Sequence, residues 1–246
     1  MKAIIVIPAR YESSRLPGKP LIDLLGVSMI RRTHSRCIKA FPRDQVYVAT
    51  DNQRIFEHCR ENDIQVLMTP DDCLTGTDRV ACVARNIDAD LYINVQGDEP
   101  TMDPQDILDV YETAKSYPGE IVNGMCKIND ESLFRNPTIP KVVARPDGRL
   151  LYMSRAAIPT SKQLGFNASH RQICTYAFPK KALEDFYSCK EKTPLEAIED
   201  IEILRFLELG YEVQMVPLSD SSVAVDTPED IPRAEAIIKN KGLLEI

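Results

Sequence analysis

"AIIVIPARYESSRLPGKPL", residues 3–21, decides how the rest of the chain is read. The run "AIIVI" (3–7) is apolar, mostly β-branched and stopped by Pro8, so it predicts a short buried strand. Residues 8–20 are turn-rich, with Pro8, Pro17, Gly18 and Pro20, and they carry Arg10, Arg15 and Lys19. In an open parallel sheet, ligands collect beyond the carboxyl ends of strands. Three cations leaving such an end suit a polyphosphate, the arginines as planar forks and the lysine as a point charge. An exposed, solvated basic loop is the alternative. The stretch has neither G-x-x-x-x-G-K-[ST] nor G-x-G-x-x-G, so a nucleotide held here is held by another geometry.

The rest of the chain extends that pattern. Strand-like runs "QVYVAT" (45–50), "IQVLM" (64–68) and "LYINV" (91–95) alternate with helical segments near 28–40, 52–62, 77–87 and 104–116. Alternation of this kind predicts an α/β fold with an open, mostly parallel, Rossmann-like sheet. Beyond about residue 120 the rhythm changes. "EIVNGMCKI", "RLLYMS" and "RQICTYAF" read as longer strands, and "RPDGRL" as a hairpin turn between 141–145 and 150–153, which predicts an antiparallel extension. "PLEAIEDIEILRFLELG" reads as one helix with Ile198, Ile201, Leu204 and Leu207 along a stripe and Gly210 past its end. "TPEDIPRAEAIIKNKG" reads as a last helix with Thr227 as N-cap and Pro228 at its first position. The expectation is a single α/β domain over 1–246, in which roughly 1–120 and 210–246 bind nucleotide and metal and roughly 121–209 form a second lobe.

Composition narrows the function. A formal net charge of −7 on 246 residues argues against a surface for nucleic acid or anionic lipid, so any anion is held locally. Seven scattered cysteines without a Cys-x-x-Cys suit reduced thiols in the cytoplasm better than a disulfide framework or zinc ribbon. His34 with Cys37 and His58 beside Cys59 lack the paired spacings of structural zinc. The opening apolar run is shorter than the roughly 7–15 residues of a secretory signal core, and none approaches the ~20 of a membrane span.

Two carboxylates stand at informative places. Asp98, in "NVQGDEP", lies just beyond the strand "LYINV"; Asp226, in "VAVDTPED", follows another apolar run. Oxygen ligands of this sort suit Mg²⁺, which takes one or two carboxylates and completes its shell with phosphates and water. For Asp226 a local turn or cap is the alternative.

"PARYESSRLPGKPL" closely resembles the signature loop of the sugar-acid cytidylyltransferases, in particular those acting on 3-deoxy-manno-octulosonate (Kdo). The likeness continues in order through "VATDN", "MTPDDCLTGTDRVA", "YINVQGDEP", "KVV", "LYMSRAAIP", "PLEAIEDIEILR" and "VDTPED". It implies the nucleotide-diphospho-sugar transferase fold and a transfer from CTP to a 3-deoxy-ulosonic acid. The products are a CMP-sugar for lipopolysaccharide and pyrophosphate. It further implies that Asp98 and Asp226 bind catalytic Mg²⁺ and that Arg10, Arg15 and Lys19 neutralise the phosphates. Pro8, Ala9, Thr75, Gly76, Gln96 and Gly97 surround the nucleotide, and Arg155, Gln172, Tyr176 and Glu202 line the acceptor site. A homodimer joined through the strands after 120 is implied as well, with neither nucleic acid nor membrane insertion.

The likeness has two departures. "RQICTYAF" places Gln172 where Kdo enzymes usually have histidine, and "EILR" places Ile203 where they have glutamine. Gln172 can donate and accept hydrogen bonds without charge, and Ile203 can do neither. Kdo or a close relative is the expected acceptor. The alternatives are another acidic acceptor, such as a nonulosonic acid or phosphonate, and a non-catalytic nucleotide-binding module.

Overall fold

The opening apolar run forms β1 (Ala3–Ala9), with all seven residues buried. The computed structural model describes residues 1–13 and 15–246; Ser14, within the basic loop, lies outside them. The chain divides into two compact units, Met1–Leu108 with Ser221–Ile246, and Asp109–Asp220.

In the first unit β1 leads to a small antiparallel pair, β2 (Asp23–Leu24) and β3 (Val27–Ser28), and then to α1 (Met29–Cys37). Next come β4 (Val46–Thr50), α2 (Gln53–Glu61), β5 (Gln65–Met68), α3 (Gly76–Asn86) and β6 (Leu91–Val95). The strands lie in the order β5-β4-β1-β6, and each pairing is parallel, with Ile5 beside Val46, Val6 beside Asn94 and Tyr47 beside Gln65. Apolar strands separated by amphipathic helices give this arrangement, because both sheet faces must be covered. α3 starts one residue before the expected Thr77: Thr75 is its N-cap, in a reciprocal capping box with Asp78.

α4 (Pro104–Ser116) carries the chain into the second unit, which contains β7 (Ile121–Ile128), α5 (Glu131–Arg135), β8 (Lys141–Ala144), β9 (Leu150–Ser154) and β10 (Ser169–Pro179). They are followed by α6 (Lys180–Ser188), α7 (Pro194–Glu199), α8 (Ile203–Glu208) and β11 (Val213–Pro217). β10 pairs antiparallel with β7 and β8, β8 pairs antiparallel with β9, and β11 runs parallel to β7. This is the predicted antiparallel extension. The chain returns to the first unit for α9 (Asp230–Asn240).

Two helix expectations are corrected. The segment 194–210 is two short helices, broken at Asp200, whose φ of 52° is left-handed. The apolar stripe misled because Ile198 is 79% exposed while Ile201 and Leu204 are buried. Arg155 explains how the break is tolerated: its guanidinium donates to the carbonyls of Glu199 and Asp200, which a continuous helix would have satisfied internally. The last helix begins at Asp230 rather than after Thr227. The Asp230 carboxylate reaches back to accept from the Asp226 and Thr227 N–H groups, closing a turn that contains Pro228.

The second unit buries an ion pair. Arg205 is 0% and Glu196 1% exposed, and they meet through two bonds of 2.5 and 2.6 Å, with the guanidinium 3.8 Å from the centre of the Phe186 ring. Arg205→Met strands the Glu196 charge and should cost about 3–5 kcal/mol in urea unfolding. A loss well below that range would mean water reaches the pair.

In the first unit His34 is 3% exposed, and its Nε2 has no partner among the described residues. Burial, and secondarily the charge of Arg43, lowers its pKa from 6.5 to about 4. The native imidazole is therefore neutral where the unfolded one takes up a proton. Stability should fall as pH drops from 6.5 toward about 4, by as much as about 3 kcal/mol. His34→Gln should flatten that slope in denaturation curves taken across the window; an unchanged slope would assign the acid sensitivity elsewhere.

Candidate active site

The site is assembled at the carboxyl end of β1. Val6 pairs with Asn94, and β6 ends one residue later, so "QGD" emerges beside the end of β1. At position 97 the approach is close enough to require glycine. A Cβ on Gly97 would lie 2.8 Å from the Pro8 carbonyl oxygen, and one on Gly76 would lie 3.2 Å from Gln96 Nε2 and 3.4 Å from Pro8 Cγ. Pro8, Gly76, Gln96 and Gly97, drawn from three separate stretches of sequence, thus form one wall, with Ala9 against Gly97 and Thr75 capping the helix behind Gly76. Thr33 of α1 secures the turn by donating to the Gly97 carbonyl at 3.1 Å.

The basic loop is folded back on itself. Gly18, at φ +68°, donates its N–H to the Tyr11 carbonyl, and Lys19 opens a short 3₁₀ turn. Leu16 anchors the loop in an apolar cluster with Leu24, Met29, Val225, Ala234 and Ile238. Since Leu16 and Val225 share that cluster, Lys19 and Asp226 are delivered to the same place.

Lys19 Nζ lies 2.5 Å from Asp98 Oδ2 and 3.0 Å from Asp226 Oδ1, and Arg15 reaches the same Asp226 oxygen at 3.1 Å. Burial pulls the Lys19 pKa down and is the largest single influence. The charges and hydrogen bonds of Asp98 and Asp226 together outweigh it, leaving the pKa raised above 10.5. The side chains of Lys19 and Asp98 are only 16% and 22% exposed, against 41% for Asp226 and 56% for Arg15. The Lys19–Asp98 contact is therefore the least screened of the set. Arg10 stands exposed at the end of β1, outside these pairs.

Two hard oxygen donors already converging on one cationic centre fit the share of a Mg²⁺ shell that a protein supplies when phosphates and water complete it. No group of three or more His, Cys, Asp or Glu side chains that could hold a metal occurs among the described residues, so an all-protein cage is not built here.

The residues expected at the acceptor belong to the second unit. β10 bulges between Ile173 and Tyr176, and Asn123 of β7 fills the bulge by donating to the carbonyls of Ile173 and Thr175. Gln172 donates to Asn123 Oδ1 at 2.9 Å and to the Tyr176 hydroxyl at 3.2 Å, so Gln172 and Tyr176 meet in one buried group. Arg155 bonds to the Pro137, Thr138, Glu199 and Asp200 carbonyls. Glu202 is half-buried at the start of α8, and Ile203 after it is 1% exposed.

Sequence reasoning missed Arg79. It is 3% exposed on α3, donates to Thr69 Oγ1 at 2.7 Å and to the Pro70 carbonyl at 3.1 Å, and pairs with Asp51. It thereby ties the ends of β4 and β5 to the helix that presents Thr75 and Gly76. The available signal was an arginine amid the apolar face of a helix that follows a glycine turn. Asn123 was missed as well, because only the bulge gives it a role.

Residues 4–215 match the family model described as cytidylyltransferase. A 3-deoxy-manno-octulosonate cytidylyltransferase of Syntrophotalea carbinolica is 41% identical over 250 residues, covering 97% of this chain and 99% of that protein. The Escherichia coli protein of the same name is 33% identical over 237 residues, covering 96% of each. A solved structure of CMP:2-keto-3-deoxy-manno-octonic acid synthetase complexed with CTP superposes with a TM-score of 0.91 at 32% identity, over 98% of this chain and 100% of that one. With matches spanning nearly its whole length, the chain belongs to the 3-deoxy-manno-octulosonate cytidylyltransferase family.

Proposed function

We propose that the protein transfers the cytidylyl group of CTP to Kdo, forming CMP-Kdo and releasing pyrophosphate, with Mg²⁺ held by Asp98 and Asp226. The observation that carries this reading is the convergence of those two carboxylates on Lys19 Nζ, beside the wall of Pro8, Gly76, Gln96 and Gly97. The relatives' names supply the substrates. The wall receives the cytidine. Arg10, Arg15 and Lys19 take the β and γ phosphates and neutralise the pyrophosphate as the bond to the α-phosphorus breaks. Lys19 and Arg15 exchange carboxylate oxygens for phosphate oxygens when nucleotide enters. The ion, when bound, supplies positive charge that favours ionisation of the attacking sugar hydroxyl and shields the α-phosphate. Arg155, Gln172, Tyr176 and Glu202 shape the acceptor side, where Gln172 presents a neutral amide in place of histidine.

We assign the protein to the cytoplasm and its product to lipopolysaccharide assembly. Seven free thiols support a reducing compartment, and no helix among the described residues is long and apolar enough to cross a membrane. We also assign a homodimer through the second unit, as the resemblance implies. Light scattering should give about twice the 27.7 kDa chain mass, and a monomer at micromolar concentration would refute the assignment.

Pyrophosphate release from CTP and Mg²⁺ should appear with Kdo. Release only with another acid, such as a nonulosonic acid or a phosphonate, would replace the acceptor, and CTP binding without release would mark a non-catalytic module. Asp98→Ala should lower kcat at least about a hundredfold, the scale of removing one group that stabilises transition-state charge. Gly97→Ala drives a methyl group into the Pro8 carbonyl. It should cost about 1–3 kcal/mol and raise the KM for CTP more than that for the sugar. Equal effects on both constants would place Gly97 away from the nucleotide.

A further inference from the structure

Glu99 adjoins Asp98, and a second carboxylate beside a metal-binding one is an obvious candidate ligand. The structure gives it other partners. Glu99 is 8% exposed and accepts a hydrogen bond from Ser222 Oγ. Ser222 Oγ lies 3.4 Å from Thr101 Oγ1, and Thr101, wholly buried, accepts from the Val223 N–H at 3.2 Å. Two residues further, the Val225 N–H donates to the Asp98 carbonyl at 3.0 Å.

The proton directions are consistent along this chain of groups. Ser222 has one hydroxyl proton and gives it to Glu99, so the contact with Thr101 must use the Thr101 proton. Thr101 then has lone pairs for the Val223 N–H. Two hydroxyls in relay thus end on a buried carboxylate, whose oxygens need hydrogen-bond donors once they are removed from water.

The bonds join two segments, 98–101 and 222–225, that each run directly into one of the converging aspartates. Asp98 follows a strand by three residues. Asp226 lies in an irregular segment between β11 and α9, with no ladder to hold it. Its place relative to Asp98 depends on the Leu16–Val225 cluster and on these bonds.

We infer that Ser222 is a positioning residue for divalent-cation binding: the Glu99–Ser222–Thr101 strap holds Asp226 at the distance from Asp98 that one ion can bridge. This rests on the reading of Asp98 and Asp226 as the metal pair. Removing an outer hydrogen-bonding partner of a metal site commonly lowers metal affinity by about 10- to 100-fold.

The test is titration of the intact protein with MnCl₂ in the presence of CTP without acceptor, following free Mn²⁺ by electron paramagnetic resonance. Ser222→Ala should weaken Mn²⁺ binding about tenfold or more, with CTP affinity in EDTA and the melting temperature close to parental. Ser222→Thr, which keeps the hydroxyl, should restore most of the affinity. In turnover assays the metal concentration for half-maximal rate should rise for Ser222→Ala, while kcat at saturating metal recovers. Mn²⁺ affinity in Ser222→Ala within twofold of parental, or an equal loss in Ser222→Thr, overturns the inference. If the parental protein and Asp98→Ala bind Mn²⁺ alike, the metal pair itself is wrong and the strap's role falls with it.

Discussion

Two carboxylates held close together repel, and a cation placed between them relieves that repulsion. That constraint organises the first unit. Lys19 meets it at 2.5 Å from Asp98 and 3.0 Å from Asp226, and its raised pKa records how strongly the carboxylates hold the ammonium against burial. Three stretches far apart in sequence must be fixed for this contact to exist. The parallel register of β1 and β6 fixes Asp98, the burial of Leu16 fixes the basic loop, and the burial of Val225 fixes Asp226. A core of aliphatic side chains thus sets the geometry of a charged site.

The second unit uses its cations differently. Arg205 sits with Glu196 under an aromatic ring, Arg155 bridges a broken helix to the 137–138 turn, and Lys141, wholly buried, donates to the Asn136 and Ile139 carbonyls. Burial is the main influence lowering the Lys141 pKa, with the charge of Arg155 next. Arg155 and Lys141 satisfy backbone carbonyls that irregular connections leave unpaired, which lets two short helices persist where one longer helix would be simpler, and Asn123 does the same for the β10 bulge. Gln172 is held by the same group, donating to Asn123 Oδ1 and to the Tyr176 hydroxyl.

Much of the first unit was legible because hydrophobic period and turn chemistry are local properties. Each run of branched apolar residues ended at a proline, glycine or polar cap, and strands and helices fell within a few residues of the expected bounds. The stretch 194–210 was misread for a physical reason. A 3.6-residue period is compatible with one helix or with two whose axes differ, and what separates them is whether a distant donor can satisfy the carbonyls at the break. Arg155 lies 44 residues before Glu199, beyond any local pattern. Asn123 and the Ser222 strap were invisible for the same cause, since a polar residue acquires such a role only from a partner in another stretch. The acidic and basic residues at strand ends were readable because topology, once inferred, already sends those ends to one edge.

The local electrostatics also explain how a protein of net charge −7 can receive a polyanion. Asp98, Asp226, Lys19 and Arg15 sum to zero, so the approach of a nucleotide meets no isolated negative site. Adding a triphosphate alone would leave the two carboxylates facing new negative charge as their cations turned to the phosphates. Adding a divalent ion alone would crowd it against Lys19 and Arg15. If Asp98 and Asp226 hold Mg²⁺ as proposed, a cation supplied together with the nucleotide would stand in for the ammonium beside the carboxylates and free Lys19 and Arg15 to face the phosphates, so each charge would keep an opposite neighbour. On the proposed reading the four side chains, whose placement the aliphatic core dictates, would favour the metal–nucleotide complex over either component.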